Sequence, residues 1–304
     1  MPIKTLTTRK IQKILESRPT IEGAGVKLRR AFGQQQVPQL DPFLLLDDFK
    51  SDNPTDYLPG FPWHPHRGIE TITYILNGRV EHGDSIGNKG IIKSGEVQWM
   101  TAGSGIIHQE MPKKIEGTMQ GFQLWLNLPG SNKMMDPRYR DVKSNQIPEV
   151  TLKNGVKAKI VAGKVGEYKG PVEHLVVDAE YIDLTIDPYT EYVHKTKRGY
   201  KVFAYVIDGK ANFSPTDEAA SKNLVIFQDG DKIKVQTKES GVRFLLISGK
   251  PLDQPVAWYG PIVMNTREEL SQAFNEFETG KFIKTKKEQK EINDKQGEEY
   301  YNKD

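Results

Sequence analysis

Four residues of the types that bind transition metals stand in two short, glycine-framed segments of this chain. The first, Gly60–Gly78, reads GFPWHPHRGIETITYILNG and contains His64 and His66. The second, Gly95–Pro112, reads GEVQWMTAGSGIIHQEMP and contains His108 and Glu110. In an extended strand, residues i and i+2 point to the same face. Each pair is therefore a two-donor chelate, and two such strands side by side offer three imidazoles and one carboxylate. First-row divalent metals accept that mixed set. Four protein ligands in an octahedral shell leave two positions open for chemistry. Pro65 has no N–H to donate, so its strand should start or edge a sheet and keep the site near an opening. Gly103 and Gly105 suit a tight turn that aims the following strand inward. A lone H-x-H pair is more often surface than ligand; the convergence of two pairs is what points to a metal centre.

Glu70 shares strand parity with His64 and His66. It is either a fifth ligand or an acceptor for an imidazole N–H, with a plain ion pair as the alternative. Arg67 has the opposite parity and suits pairing with a carboxylate. His82, His174 and His194 lack such company and read as structural or exposed.

The elements that must position these residues read as short strands broken by Gly, Asn, Asp or Pro. Glu70–His82 mixes β-branched and aromatic residues around Asn77-Gly78, a hairpin signal. Gly121–Pro129 (GFQLWLNLP) alternates, and VKAKIVAGKVG, VFAYVIDGKANF and VRFLLISGKP continue the pattern. Helical periodicity appears late, in Asn265–Phe282. There Leu270, Phe274 and Phe277 share a face, Thr266 suits the N-cap, Glu269 its capping-box partner and Gly280 the end. Tyr74–Gly78 (YILNG) is echoed by Tyr205–Gly209 (YVIDG). The echo suggests two similar barrels with a boundary in the polar stretch Pro129–Pro148. Many strands and one late helix imply a mainly all-β sandwich or barrel protein with the helix packed on one barrel.

At 304 residues the chain is long enough for about two domains. With 43 basic and 40 acidic residues the net charge is +3, which provides no strong drive toward nucleic acid. There is no cysteine, which excludes disulfides, thiolate metal sites and a cysteine nucleophile. The N-terminus has no apolar stretch of signal-peptide length, and no apolar run approaches a membrane span. A soluble intracellular, cytoplasmic monomer is the expectation, with a nuclear location open if the source is eukaryotic. The tail after Phe282 is almost wholly charged or amide.

The same segments resemble a family. Gly60–Gly78 is similar to the first cupin motif, and VQWMTAGSGIIHQEMP to the second. The wording resembles pirins: DPFLLLDDF, HPHRG, WMTAGSGIIHQEMP, GFQLWLNLP and GPIVMNT, in the family's order from about Asp41 to Phe282. The resemblance implies two cupin-type β-barrels (double-stranded β-helix, or jelly roll) with a C-terminal helix. The expected division is 1–135 for a metal-binding barrel, 136–284 for a second barrel plus the helix, and 285–304 for a charged tail. It implies one mononuclear Fe(II) held by His64, His66, His108 and Glu110; Mn, Co, Ni, Cu and Zn suit the same donors. It points to Gln123 as a polar group facing the pocket and moves Glu70 from ligand to supporting acceptor. Aligning the two echoes sets Lys195, Lys197 and Lys201 against His64, His66 and Glu70, so no second metal site of this kind is expected.

Two functions follow from the resemblance. One is a quercetin (flavonol) 2,3-dioxygenase, opening the ring with O₂, with Glu110 taking the 3-hydroxyl proton and Arg67 or Gln123 meeting the substrate carbonyl. The other is an iron-dependent, redox-sensing regulator that binds a transcription factor or metabolic enzyme, with Arg67, Arg79, Lys89 and Lys93 as a basic face. Room above the metal for a bicyclic aromatic favours the enzyme; a closed metal beside a surface patch favours the regulator.

Overall fold

The computed structural model describes residues 6–36, 39–153, 155–286 and 288–289; most of the charged tail lies outside them. The chain forms two compact units, and neither is contiguous in sequence. One takes the described residues up to Arg18, with Gln39–Pro42 and Val142–Pro251; the other takes those of Pro19–Pro38, with Phe43–Asp141 and the chain from Leu252 onward. This differs from the contiguous division 1–135 and 136–284. The physical reason lies in long-range pairing. The strand β1 (Ile11–Glu16) pairs antiparallel with Asn223–Phe227. The helix Arg267–Glu278 buries Ala273 in a cluster with Ile262, Met264 and Phe282, against which Ile107 and Met134 pack. The helix therefore belongs to the unit that carries the candidate ligands. Its Thr266 Oγ1 accepts from the Glu269 N–H at 3.2 Å, and Glu269 Oε2 accepts from the Thr266 N–H at 3.0 Å, which is the expected capping box.

The unit carrying the candidate ligands is built on β2 (Arg18–Glu22), β3 (Val26–Phe32), β4 (Phe43–Ser51), β5 (Phe61–His66), β6 (Ile69–Asn77), β7 (Arg79–Asp84), β8 (Lys89–Lys93), β9 (Val97–Thr101), β10 (Ile106–Pro112), β11 (Met119–Asn127) and β12 (Arg138–Val142). One sheet runs β12-β9-β6-β11-β4-β3-β2 and a smaller one β5-β10-β7-β8. Val26, Phe49, Ile75 and Met119 from the large sheet bury against Val80 and Ile92 from the small one. Two antiparallel sheets closing on one apolar interior make a jelly-roll barrel.

Asn77-Gly78 does not close a hairpin. β6 lies between β9 and β11 in the large sheet, and β7 between β10 and β8 in the small one. The turn instead carries the chain from one sheet to the other. Gly78 has φ 117°, and a Cβ there would come 2.1 Å from Met119 Sδ.

In the other unit the echo falls inside one long strand, Lys201–Asn212. Before Gly209 this strand pairs with Val242–Gly249 and Asn223–Phe227; after it, with Glu218–Ala220. Gly209 has φ 71°, and a Cβ would meet the Gly241 carbonyl at 2.1 Å. The sheet of this unit runs β1, Asn223–Phe227, Lys201–Asn212, Val242–Gly249, Ala179–Ile186, Val156–Ala162 and Glu149–Leu152. Its interior is apolar, with Phe213, Phe227, Phe244 and Val206 among the buried side chains. Both units are cupin-type barrels.

Candidate metal centre

His64 and His66 lie on β5, and His64 pairs in register with His108 on β10. The i, i+2 spacing and the antiparallel partner put three imidazoles on one interior face. Their ring centroids are 4.4, 4.8 and 5.1 Å apart. One nitrogen from each ring lies within 4.8 Å of the others, and among the described residues this is the cluster that could hold a metal ion. His66 and His108 are each 1% exposed; His64 is half-buried toward an opening.

The outer nitrogens fix the chemistry of the inner ones. His64 Nδ1 meets the Pro62 carbonyl at 2.8 Å, and His66 Nδ1 meets the Pro261 carbonyl at 3.0 Å. A carbonyl oxygen only accepts, so both Nδ1 atoms carry the proton and both Nε2 atoms present bare lone pairs. Those two Nε2 atoms sit 3.1 Å apart. Two lone pairs at that distance repel unless a cation lies between them. Two ligands at about 2.1 Å from one ion, roughly 95° apart, give this separation. Both His108 nitrogens are buried without a hydrogen-bond partner, an arrangement that otherwise costs stability. The residues present fit a metal ion.

Glu110 departs from the expected cluster. The β5–β10 register shifts between His108 and Glu110, which pairs with Phe61. Its carboxylate accepts from Thr73 Oγ1 at 2.9 Å and from Gln123 Nε2 at 2.8 Å, outside the three-histidine group. Its carboxyl group is almost wholly buried, 4% exposed, and both of its hydrogen-bond partners are uncharged side chains. Glu70 is also fully buried, but it accepts from Trp99 Nε1 at 3.0 Å and Thr101 Oγ1 at 2.6 Å. Backbone carbonyls of Pro62 and Pro261 take the imidazole N–H groups for which Glu70 was the expected acceptor.

Arg67 leaves both of its expected places. It is 2% exposed, donates to Glu276 Oε2 at 2.7 Å and to the Phe282 carbonyl at 2.9 Å, and stacks 4.3 Å over the Phe282 ring. It ties the terminal helix to the end of β5, and it belongs neither to the lining of the cavity beside the histidines nor to a basic surface. Arg79, Lys89 and Lys93 are exposed. His82 and His194 are buried, and His174 is exposed.

A cavity of about 570 Å³ opens onto His64 and His66. Phe61, Trp63, Trp125 and Trp258 supply aromatic wall, and Gln123 joins the lining. Gln123 accepts from Trp125 Nε1 at 3.1 Å while donating to Glu110, so it couples the wall to the buried carboxylate. Trp125 shares the strand face of Gln123 by i, i+2 spacing, whereas Thr73, Trp258 and the Pro261 carbonyl are contributions that no i, i+2 rule singles out. Thr73 is found only through the cross-strand register Thr73↔Gln123.

Burial, then repulsion from His64 and His108, holds the His66 imidazole well below the usual histidine range. Burial, then His64 and His82, does the same for His108. In the folded metal-free protein both stay neutral where the unfolded chain takes up protons. Stability therefore falls as pH drops below about 6.5, by up to ~1.4 kcal/mol per pH unit for each histidine. Unfolding of chelator-treated protein at pH 7, 6 and 5 measures this slope, and His108→Gln should remove about half of it. A flat profile over that range is the contrary result.

Two jelly-roll barrels, with three converging imidazoles inside one of them, define a two-domain cupin protein whose candidate metal site lies in a single barrel. The chain belongs to the pirin family: the Pirin family model matches residues 25–126, and the Pirin C-terminal cupin domain model matches residues 181–283. It is 41% identical over 278 residues to a pirin-like protein of Caulobacter vibrioides, covering 91% of this chain and 100% of the relative. It is 39% identical over 281 residues to pirin of Homo sapiens, covering 90% and 94%. Among solved structures, quercetin 2,3-dioxygenase from Acinetobacter baumannii superposes with a TM-score of 0.85 at 31% identity, covering 91% of this chain and 99% of that one. Among the described residues, no helix is long and apolar enough to cross a membrane.

Proposed function

We propose that the chain is a metal-dependent dioxygenase that opens a flavonol ring with O₂, quercetin 2,3-dioxygenase-like. The observation that carries this reading is the aromatic-walled cavity opening onto His64 and His66. Its volume lies within the range of small-molecule sites, and a purely redox-sensing regulator has no need of it. The likeness to the Acinetobacter baumannii quercetin 2,3-dioxygenase supports the same class of substrate.

His64, His66 and His108 would hold one ion, Fe(II) by preference, with Glu110 as the carboxylate of the set. A buried anion with only neutral donors around it is what a cation would compensate. When bound, the metal supplies Lewis acidity toward the flavonol oxygen and a redox centre for O₂. The chain's residues do the rest. Trp125 and Trp258, whose ring centroids stand 6.2 Å apart, form an apolar wall for a planar ring and exclude water. Glu110 takes the 3-hydroxyl proton, and Gln123 and Thr73 aim its carboxylate.

The test is anaerobic, iron-loaded protein mixed with quercetin and started with O₂, following the flavonol absorbance alongside metal content. Glu110→Gln, at matched metal content, should fall by roughly 10²–10⁴ in turnover. Wild type that is fully loaded and does not turn over would end the dioxygenase reading.

A further inference from the structure

Beyond the histidines, the cavity has a second polar end that the reaction does not use. Thr73, Gln123, Asp47 and Arg30 lie in one cross-strand row over β6, β11, β4 and β3, each in register with the next. Gln123, Asp47, Arg30 and Glu22 all line the cavity. Arg30 holds Asp47 with two parallel bonds of 2.8 Å, from Nε to Oδ1 and from Nη2 to Oδ2. Arg30 Nη1 reaches Glu22 Oε1 at 2.9 Å. At about 4.8 Å between strands, Asp47 lies one strand from Gln123 and Arg30 roughly 10 Å away.

The charges of this end do not cancel. Two carboxylates face one guanidinium, leaving one negative charge. Each Asp47 oxygen accepts one N–H from Arg30 and keeps lone-pair capacity for another donor. Such a group accepts hydrogen bonds from hydroxyls and repels carboxylate, sulfate or phosphate.

Resting on the flavonol reading of the same site, we propose that Glu22, Arg30 and Asp47 form its specificity end. It selects planar aromatic substrates whose far ring carries uncharged hydroxyl groups, and it rejects those bearing an anion there. The aromatic walls are indifferent to that choice, because Trp125 and Trp258 meet any ring face. Asp47 and Glu22 make the distinction, and Arg30 positions them.

The test is equilibrium binding to the anaerobic, metal-loaded full chain, read by tryptophan fluorescence. Three ligands are compared: quercetin, the same flavonol without hydroxyls on its outer ring, and the flavonol sulfated on that ring. Wild type should prefer quercetin to the unsubstituted flavonol by roughly tenfold or more, as a hydrogen bond to a charged group implies. Asp47→Asn should reduce that preference to about threefold or less while leaving the unsubstituted flavonol's affinity nearly unchanged. Glu22→Gln, at the more exposed carboxylate, removes the net charge without touching the Arg30–Asp47 pair. It should raise the affinity for the sulfated ligand several-fold. Equal binding of the hydroxylated and unsubstituted flavonols by wild type overturns this inference alone. So does an equal loss for both in Asp47→Asn at unchanged metal content. Failure of wild type to bind any of the three overturns the flavonol reading, and this inference with it.

Discussion

His108→Ala is expected to release the metal and leave the barrel folded. Most buried histidines are held by hydrogen bonds that their removal would break. His108 has none on either nitrogen, so in the metal-free protein the change removes ring packing and also two unsatisfied polar atoms, effects of opposite sign. In the metal-loaded protein it removes one of three converging imidazoles and leaves the bare Nε2 atoms of His64 and His66 facing each other at 3.1 Å. The variant should hold less than a tenth of the wild-type metal content. It should also lose the stabilisation that metal confers on wild type, about 2.7 kcal/mol at a free metal concentration one hundred times Kd. Metal analysis together with thermal melts, with and without added metal, reads both quantities. Full metal retention in a folded variant would remove His108 from the site.

Lys133→Met is expected to destabilise the protein by about 3–5 kcal/mol. Lys133 is 1% exposed. Its Nζ donates to the Gly68 carbonyl at 2.9 Å, to Asn127 Oδ1 at 2.6 Å and to the Val263 carbonyl at 2.9 Å. Burial pushes the ammonium down to about 7. Three acceptors around one nitrogen nevertheless call for three N–H donors, which only the charged form has. Methionine fills the stem's volume but leaves those oxygens without this donor. The damage reaches the site because Gly68 follows His66 by two residues and Val263 follows Pro261, whose carbonyl holds His66 Nδ1. Metal affinity should fall along with the denaturant midpoint. A midpoint shift worth less than 1 kcal/mol would show that Lys133 is not the pin between these segments.

Arg67 shows where local reasoning stops. Its opposite strand parity correctly suggests pairing with a carboxylate, but that carboxylate is Glu276, 209 positions away on the terminal helix. The Asn77-Gly78 turn is a related case. Its glycine does mark a tight turn of positive φ, yet the strands on either side go to different sheets. Turn chemistry specifies backbone angles, whereas the choice of strand partner depends on the whole barrel.

The amino-acid sequence by itself determined a mainly β chain, through strand-length apolar runs, and the echo of Tyr74–Gly78 in Tyr205–Gly209 suggested two similar halves; that these are cupin barrels came from the family resemblance. The sequence also determined that His64 and His66 share a face, because side-chain period two is a local property of any strand, whereas His108 joins them only through the β5–β10 register. The capped helix was equally legible, since its capping box spans only four residues. Only the tertiary structure decided that β1 completes the sheet of the other unit and that the helix packs beside the metal strands. It alone turned the Glu110 carboxylate toward Thr73 and Gln123, and set the Arg30–Asp47 pair at the far end of the cavity. These features depend on register between strands distant in sequence, which is set by the joint packing of many side chains and cannot be read from any one segment.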